Sequence, residues 1–230
     1  MNKMIIANLK TFMHTDDVIN YLKDMKDLNN YFIVCPSNIY IPYFLKYKYT
    51  IGVQDISMFD SIDITGELLA SQAFSMGIKY SIIGHSDRRN FETIEDINKK
   101  ILVANKYGIT PLLCVGETKK GKKTKKYIAQ YLSECLKNTL VNKIVIVYEP
   151  TWAIGTNIIP TNEEIIDIVK YIKEFVKKEY DVDIKVLYGG SVNKENINTI
   201  KLIDEIDGIL VGSASTISSE FKEIVTKYLK

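Results

Sequence analysis

The segment that decides the fold runs from Ile144 to Lys178 and reads IVIVYEPTWAIGTNIIPTNEEIIDIVKYIKEFVKK. It opens with a short apolar, β-branched run, Ile144–Glu149, which is typical of a strand buried on both faces. In Glu163–Lys178 the apolar residues recur at helical spacing, and the lysines lie away from the apolar face. The segment therefore predicts a buried strand, a loop and an amphipathic helix.

The same unit recurs along the whole chain. Eight short apolar runs are candidate strands: Lys3–Asn8, Tyr31–Pro36, Tyr49–Gln54, Tyr80–Gly84, Thr110–Val115, Ile144–Glu149, Ile184–Gly189 and Gly208–Val211. Amphipathic stretches lie between most of them, which predicts an α/β fold with a parallel sheet covered by helices. An open, doubly wound sheet would normally carry a GxGxxG turn after its first strand, and residues 8–11, NLKT, offer none. We therefore expect a single (β/α)8 barrel domain over residues 1–230.

The composition of the 230-residue chain excludes several classes of protein. Apolar residues make up 46% and charged residues 25%, which argues against disorder. The net charge of +2 predicts no general affinity for nucleic acid or for a membrane surface. No apolar run approaches the roughly 18 residues of a membrane span, and the N-terminus lacks the core of a signal peptide. Three cysteines without CxxC spacing and two histidines give no disulfide framework and no metal site, so we expect a cytoplasmic protein.

One segment, Lys119–Lys126, is strongly biased and holds six lysines in eight residues. Such a run could bind an anion or a nucleic acid. It has no interleaved aromatic residue on which a base could stack. We therefore interpret it as a solvated loop that leads into a helix.

Polar residues cluster where the predicted strands end, and in a barrel of this kind the chemistry lies at those ends. Asn8 and Lys10 follow the first strand, His85 the fourth and Glu149 the sixth. Gly/Ser turns follow the last two strands, and such turns can direct backbone N–H groups at a phosphate. A carboxylate and a neutral imidazole can move protons beside a carbonyl group. Proton transfer on a small phosphosugar is the chemistry that these residues favour.

The motifs at these strand ends resemble those of the triosephosphate isomerase family. They are residues 8–10 (NLK), 65–67 (TGE), 83–89 (IGHSDRR), 114–117 (CVGE), 148–156 (YEPTWAIGT) and 188–193 (YGGSVN). The resemblance runs from Asn8 to Ser215 and implies the TIM-barrel fold. It also implies interconversion of dihydroxyacetone phosphate and D-glyceraldehyde 3-phosphate in glycolysis and gluconeogenesis, with no cofactor and no metal.

The resemblance implies a role for each strand-end residue. Glu149 would be the base that moves the carbon-bound proton, and His85 the neutral electrophile; the family is itself a standard example of such tuned acid–base groups. Lys10 would stabilise the enediolate charge, and Asn8 would fix Lys10 and the substrate oxygens. The phosphate would be held by the backbone N–H groups of four residues: Gly155, Ser191, Gly212 and Ser213.

Residues 152–156 resemble the family's lid over the substrate, and three positions depart from the family pattern. Asp87 stands where the family usually has Glu, and Asn157 replaces a glycine at the end of the lid. Ser213 replaces the second glycine of the last turn, where a positive φ would cost a serine about 1 kcal/mol. We expect the departure at Ser213 to affect phosphate affinity, and none of the three to change the reaction class.

The segment Gln54–Glu67 predicts how the chain assembles. Met58, Phe59, Ile62 and Ile64 are apolar residues in what should be a projecting loop, where they would be costly in water. In the family the matching loop inserts beside the active site of a second subunit. We therefore expect a two-fold homodimer in which Thr65 supports the partner's Asn8 and Lys10, and Arg88 pairs with Glu67. The alternative is a loop that folds back on its own barrel.

Two other functions remain open from the sequence. A catalytically silent barrel that serves as a scaffold would need the loss of Lys10, His85 or Glu149, and all three are present. Another phosphosugar isomerase would share the phosphate turns but not residues 149–156. An assay of triose phosphate interconversion separates these alternatives.

Overall fold

Eight parallel strands close into a barrel in the computed structural model, which describes residues 3–154 and 159–230. The strands are β1 Met4–Asn8, β2 Ile33–Cys35, β3 Thr50–Val53, β4 Tyr80–Ile83, β5 Thr110–Val115, β6 Val145–Tyr148, β7 Lys185–Tyr188 and β8 Gly208–Val211. Neighbours in sequence are neighbours in the sheet, and β1 pairs with β8 to complete the ring. The predicted (β/α)8 barrel is confirmed.

The predicted strands are confirmed in number and order, and most are one or two residues shorter at their ends. The second strand shows the largest difference, because only Ile33–Cys35 pairs with its neighbours. Tyr31 is exposed and Pro36 has no backbone N–H to donate, so neither extends the ladder. The apolar pattern predicts which residues are buried, whereas the length of a strand depends on how many of its residues pair with the neighbouring strands.

Helices follow the strands and cover the outside of the barrel. They are α1 Thr15–Asp24, α2 Ile41–Lys46, α3 Ala70–Ser75, α4 Ile94–Lys106, α5 Thr124–Cys135, α6 Asn162–Tyr180, α7 Ile197–Ile200 and α8 Ser218–Leu229. Thr161 caps the N-terminus of α6, because Thr161 and Glu164 exchange the hydrogen bonds of a capping box. Ser218 lies inside α8, in its first turn, and its hydroxyl donates to Asp24.

Alternating strand residues divide the interior into two cores. On β5, Leu112 and Cys114 point into the barrel, whereas Leu113 and Val115 pack against the helices. The inner core is small, and it is filled largely by Ile, Leu, Val and Cys side chains. Because both faces of each strand are buried, the strand sequences are continuously apolar, as the parallel sheet predicts.

The lysine-rich segment leads into α5, as the sequence predicts. Lys120 pairs with Glu164, and Lys125 lies 2.7 Å from Asp167, so two of its cations neutralise carboxylates of α6. Lys122 and Lys123 are exposed.

Candidate active site

A cavity of about 730 Å³ opens at the carboxyl ends of the strands. Lys10 and His85 line it, and Ile154 stands at its edge. Much of the remaining lining comes from residues 189–193 after β7 and residues 212–214 after β8. The structure therefore brings two predicted catalytic residues and both predicted phosphate turns to one cavity.

Part of the predicted phosphate site and lid falls on residues 155–158, which the structure does not describe. Gly155 and Asn157 lie outside the described residues. The start of the predicted lid is described as a short 3-10 turn, Thr151–Ala153, that follows β6.

Glu149 follows β6 directly and is fully buried beside this cavity. Its Oε1 lies 3.4 Å from His85 Nε2, and its Oε2 lies 3.4 Å from the backbone N–H of Ser86. A side chain at position 189 would collide with Val147 and with Glu149 Cγ, so Gly189 is needed to leave room for the carboxylate. Glu149 thus lies next to the predicted electrophile, and its carboxylate must move to reach the cavity.

The hydrogen bonding of His85 indicates a neutral ring. The backbone N–H of Asp87 donates to His85 Nδ1 at 3.1 Å, which requires a lone pair on that nitrogen. The Asp87 carboxylate also lies 3.6 Å from Nδ1, a contact that would favour a charged ring. The hydrogen bond from the Asp87 backbone N–H favours the neutral ring over the charged one. It is the shorter of the two contacts, and a protonated Nδ1 could not accept it. The proton of the neutral ring is therefore on Nε2, which is the nitrogen nearest to Glu149.

Lys10 has a left-handed backbone, with φ of 48°, that is uncommon for a residue with a side chain. Its carbonyl oxygen accepts from Gln54 Nε2 at 2.6 Å and from Ser37 Oγ at 2.9 Å, while its N–H donates to Asn8 Oδ1 at 3.2 Å. Three side chains thus hold Lys10 in a conformation that costs about 1–2 kcal/mol. Asn8 is one of these three side chains.

The ammonium group of Lys10 is paired with Asp87. Lys10 Nζ lies 2.9 Å from Asp87 Oδ2, so the shorter side chain of Asp still reaches it. Partial burial is the largest single effect and raises the pKa of Asp87, but the hydrogen bond and charge of Lys10, with a contribution from His85, together outweigh burial and the pKa is lowered. Asp87 therefore stays ionised and holds the lysine at the cavity.

Hydrogen bonds from side chains fix the turns after β7 and β8. Asn196 Nδ2 donates to the carbonyl of Ser191 at 2.7 Å, and Ser191 Oγ donates to the carbonyl of Ala153 at 3.0 Å. Ser215 Oγ donates to the carbonyl of Gly212 at 2.7 Å. The turn after β7 is thereby tied to the segment after β6.

The strain considered at Ser213 does not arise. Ser213 begins a 3-10 turn, Ser213–Thr216, and it is not among the residues with positive φ. The unusual conformation belongs to Gly212, whose φ of −83° and ψ of −122° lie outside the regions that L-residues prefer. The replacement of glycine by serine at position 213 therefore carries no backbone cost.

A partly buried ion cluster connects the segment after β4 to the loop after β3. Lys100 Nζ lies 2.6 Å from Asp55 Oδ2 and 2.7 Å from Glu92 Oε1, and Arg88 pairs with both carboxylates. Within the chain Arg88 thus binds Asp55 and Glu92; its pairing with Glu67 across a subunit contact stays a prediction. Burial raises the pKa of Asp55 to about 6, although Lys100 opposes the rise.

This raised pKa predicts how Asp55 affects stability. The folded chain binds a proton at Asp55 near pH 5 that the unfolded chain does not, so its contribution to stability is lost as pH rises through about 6. We expect the parent to lose about 1.4 kcal/mol relative to the Asp55→Asn variant between pH 5 and pH 7.5. Urea unfolding of both proteins at the two pH values measures this difference, and an unchanged difference would contradict the assignment.

Comparison with known proteins assigns the chain to a family. The sequence model described as triosephosphate isomerase matches residues 3–228. The triosephosphate isomerase of Mesomycoplasma hyorhinis is 35% identical over 240 residues, with 97% of each chain covered. The chain belongs to the triosephosphate isomerase family. Its relative from Nostoc sp. is 39% identical over 180 residues, with 76% of this chain and 73% of the relative covered.

Membership of the triosephosphate isomerase family makes the chain an enzyme, an aldose–ketose isomerase. Across residues 3–154 and 159–230, no helix is long and apolar enough to cross a membrane. The same residues contain no group of three or more His, Cys, Asp or Glu side chains that could hold a metal ion.

Three supporting residues of this isomerase were not singled out from the sequence. Gln54 holds the backbone of Lys10, and Arg89 lies behind Glu149. Glu117 accepts a hydrogen bond from Trp152 Nε1 at 2.7 Å and fastens the start of the predicted lid. Gln54 and Glu117 each follow a strand within two residues. Reading the ends of β3 and β5 as closely as the other strand ends would have found both.

Proposed function

We propose that the enzyme interconverts dihydroxyacetone phosphate and D-glyceraldehyde 3-phosphate through an enediolate, in glycolysis and gluconeogenesis. The observation that carries this proposal is that Lys10 and a neutral His85 line one cavity that ends in two Gly/Ser turns, while Glu149 is buried beside it with Oε1 3.4 Å from His85 Nε2. The reaction moves protons and electrons within a single substrate, so it needs no external cofactor.

Each residue has one task in the proposed reaction. Glu149 removes a proton from the carbon beside the carbonyl and later returns it to the neighbouring carbon. His85 donates from Nε2 to the substrate oxygens and helps to move the proton between them. Lys10 leaves Asp87 for the substrate and stabilises the negative charge of the enediolate. Asn8 keeps the strained backbone of Lys10 in place.

A coupled assay tests the proposal directly. Each triose phosphate is supplied in turn, and formation of the other is followed by a dehydrogenase that oxidises or reduces it. Interconversion in both directions supports the proposal. Activity on a different phosphosugar alone would favour another isomerase, and no turnover by the folded protein would favour a scaffold.

The phosphate site is proposed to depend on main-chain donors of Gly155, Ser191, Gly212 and Ser213. Among the described residues that line the cavity, the basic side chains are those of Lys10 and His85, and no arginine is present. We expect inorganic sulfate to compete with the substrate, raising KM without lowering kcat. Steady-state kinetics at several sulfate concentrations measure this effect, and purely non-competitive inhibition would contradict it.

The proposed enzyme is a homodimer, and the described surface supports this assembly. Four consecutive loops, those after β1, β2, β3 and β4, each expose a large apolar side chain: Phe12, Ile39, Ile62 and Phe91. Because consecutive strands are neighbours in the barrel, these residues lie on one side of its carboxyl end. Such a concentration of exposed apolar groups is typical of a protein interface.

The loop after β3 has two parts that behave differently. Asp60 accepts a hydrogen bond from Tyr107 at 2.7 Å and pairs with Lys106, so this part folds against the enzyme's own α4. Ile62 is 91% exposed and contributes nothing to its own barrel. The self-contact therefore leaves the tip of the loop available to a second copy. We propose that residues 1–230 act as one domain of a cytoplasmic dimer.

A further inference from the structure

A buried arginine lies behind Glu149. Arg89 Nε donates to the carbonyl of Gly84 at 3.0 Å, and Nη1 donates to the carbonyl of Gly116 at 2.7 Å. The guanidinium group thus links the ends of β4 and β5. Its third nitrogen, Nη2, is buried, has no hydrogen-bond partner within residues 3–154 and 159–230, and lies 4.0 Å from Glu149 Oε2.

Among the residues that the structure describes, the other groups around the Glu149 carboxylate carry no positive charge. His85 is neutral, because its Nδ1 accepts from a backbone N–H. Burial raises the pKa of the Cys114 thiol on β5, and the charge of Glu149 raises it further, so the thiol stays protonated. Ser86 offers a backbone N–H, and Gly189 on the β7 side has no side chain. Arg89 is therefore the cation that balances the buried carboxylate.

We propose that Arg89 is a positioning residue, which keeps the Glu149 carboxylate ionised and oriented in its buried resting position. The inference rests on the proposed role of Glu149 as the base. A buried carboxylate without a cation would take up a proton, and a protonated base cannot accept one from the substrate.

The distance between the two groups suits a base that must move. A direct bidentate pair, with contacts of about 2.8 Å, would hold the carboxylate tightly. At 4.0 Å the guanidinium group attracts the carboxylate without a hydrogen bond that has to be broken. The two carbonyl groups and the Tyr131 ring, 5.4 Å away, fix Arg89 so that only Glu149 needs to move.

A double-mutant cycle tests this pairing without any assay of activity. Glu149→Gln, Arg89→Gln and the double variant are compared by thermal unfolding at pH 7. We expect the single variants together to lower the melting temperature by about 4 °C more than the double variant does, because each single change leaves one buried charge unbalanced. Additive changes would overturn the proposal. If Arg89→Gln does not fold, the test rests on Glu149→Gln alone. A melting temperature of Glu149→Gln at or above that of the parent would then overturn the proposal.

The pH dependence of catalysis tests the positioning role. In Arg89→Gln we expect the acid limb of the kcat/KM profile to move up by about one pH unit. Arg89→Lys, which keeps the charge, should restore most of this shift. Tyr131→Phe, which keeps the ring under Arg89, should not move the limb. An acid limb that stays in place in a folded Arg89→Gln would overturn the proposal, whereas an inactive parent would count against the proposed function alone.

Discussion

Replacing Glu149 with aspartate is expected to lower kcat by about 100-fold or more while KM and the fold change little. Proton transfer needs the carboxylate within about 3 Å of the proton, and the shorter side chain withdraws it by about 1 Å. Glu149 is fully buried with its space defined by Gly189, so the backbone has no room to follow. Steady-state kinetics and the melting temperature measure the two parts of this prediction.

The matched control removes the same methylene from an exposed glutamate at the start of α6. Glu163→Asp should leave kcat within about twofold of the parent, since surface substitutions of this kind have small effects. If the kcat of Glu149→Asp were within about twofold of the parent's, as expected for the control, Glu149 would not be the base.

Replacing Ile62 with aspartate is expected to dissociate the proposed dimer and to lower activity at least tenfold with it. Burying an isoleucine contributes about 2 kcal/mol, and each dimer would lose two such contacts and gain two charges at the interface. The activity should fall because Lys10, in its strained conformation, lies close to the loops that would pack against the partner. Ile62 suits this test better than Met58, which is half-buried in its own chain.

Leu202→Asp is the control, because Leu202 is also exposed and apolar but lies in the segment before β8, away from the four loops. Sedimentation velocity and activity are measured on the same samples over a range of concentrations. If Ile62→Asp were a fully active monomer, the interface would not contribute to catalysis. The proposed roles of Glu149 and His85 would be unaffected by this result.

The sequence predicts the barrel well because a strand buried on both faces has a distinctive composition. The eight apolar runs are confirmed as strands, and Lys10, His85 and both phosphate turns meet at one cavity. The sequence alone could not show how charges pair between elements that are distant in the chain. Arg88 contacts Asp55, and Arg89 lies near Glu149, because the barrel brings their strands together.

The pairing of β1 with β8 has a consequence for how the enzyme is made. Asn8 and Lys10 are synthesised first among the site residues, while Gly212 and Ser213 emerge roughly two hundred residues later. Until β8 is complete, β1 lacks one neighbour, and the cavity lacks one of its phosphate turns. A nascent chain can build its local strand–helix units early, but closing the ring needs the most distant contact in the molecule. Catalytic competence should therefore appear in one late step of biosynthesis, and ribosome-bound chains released before β8 should be inactive.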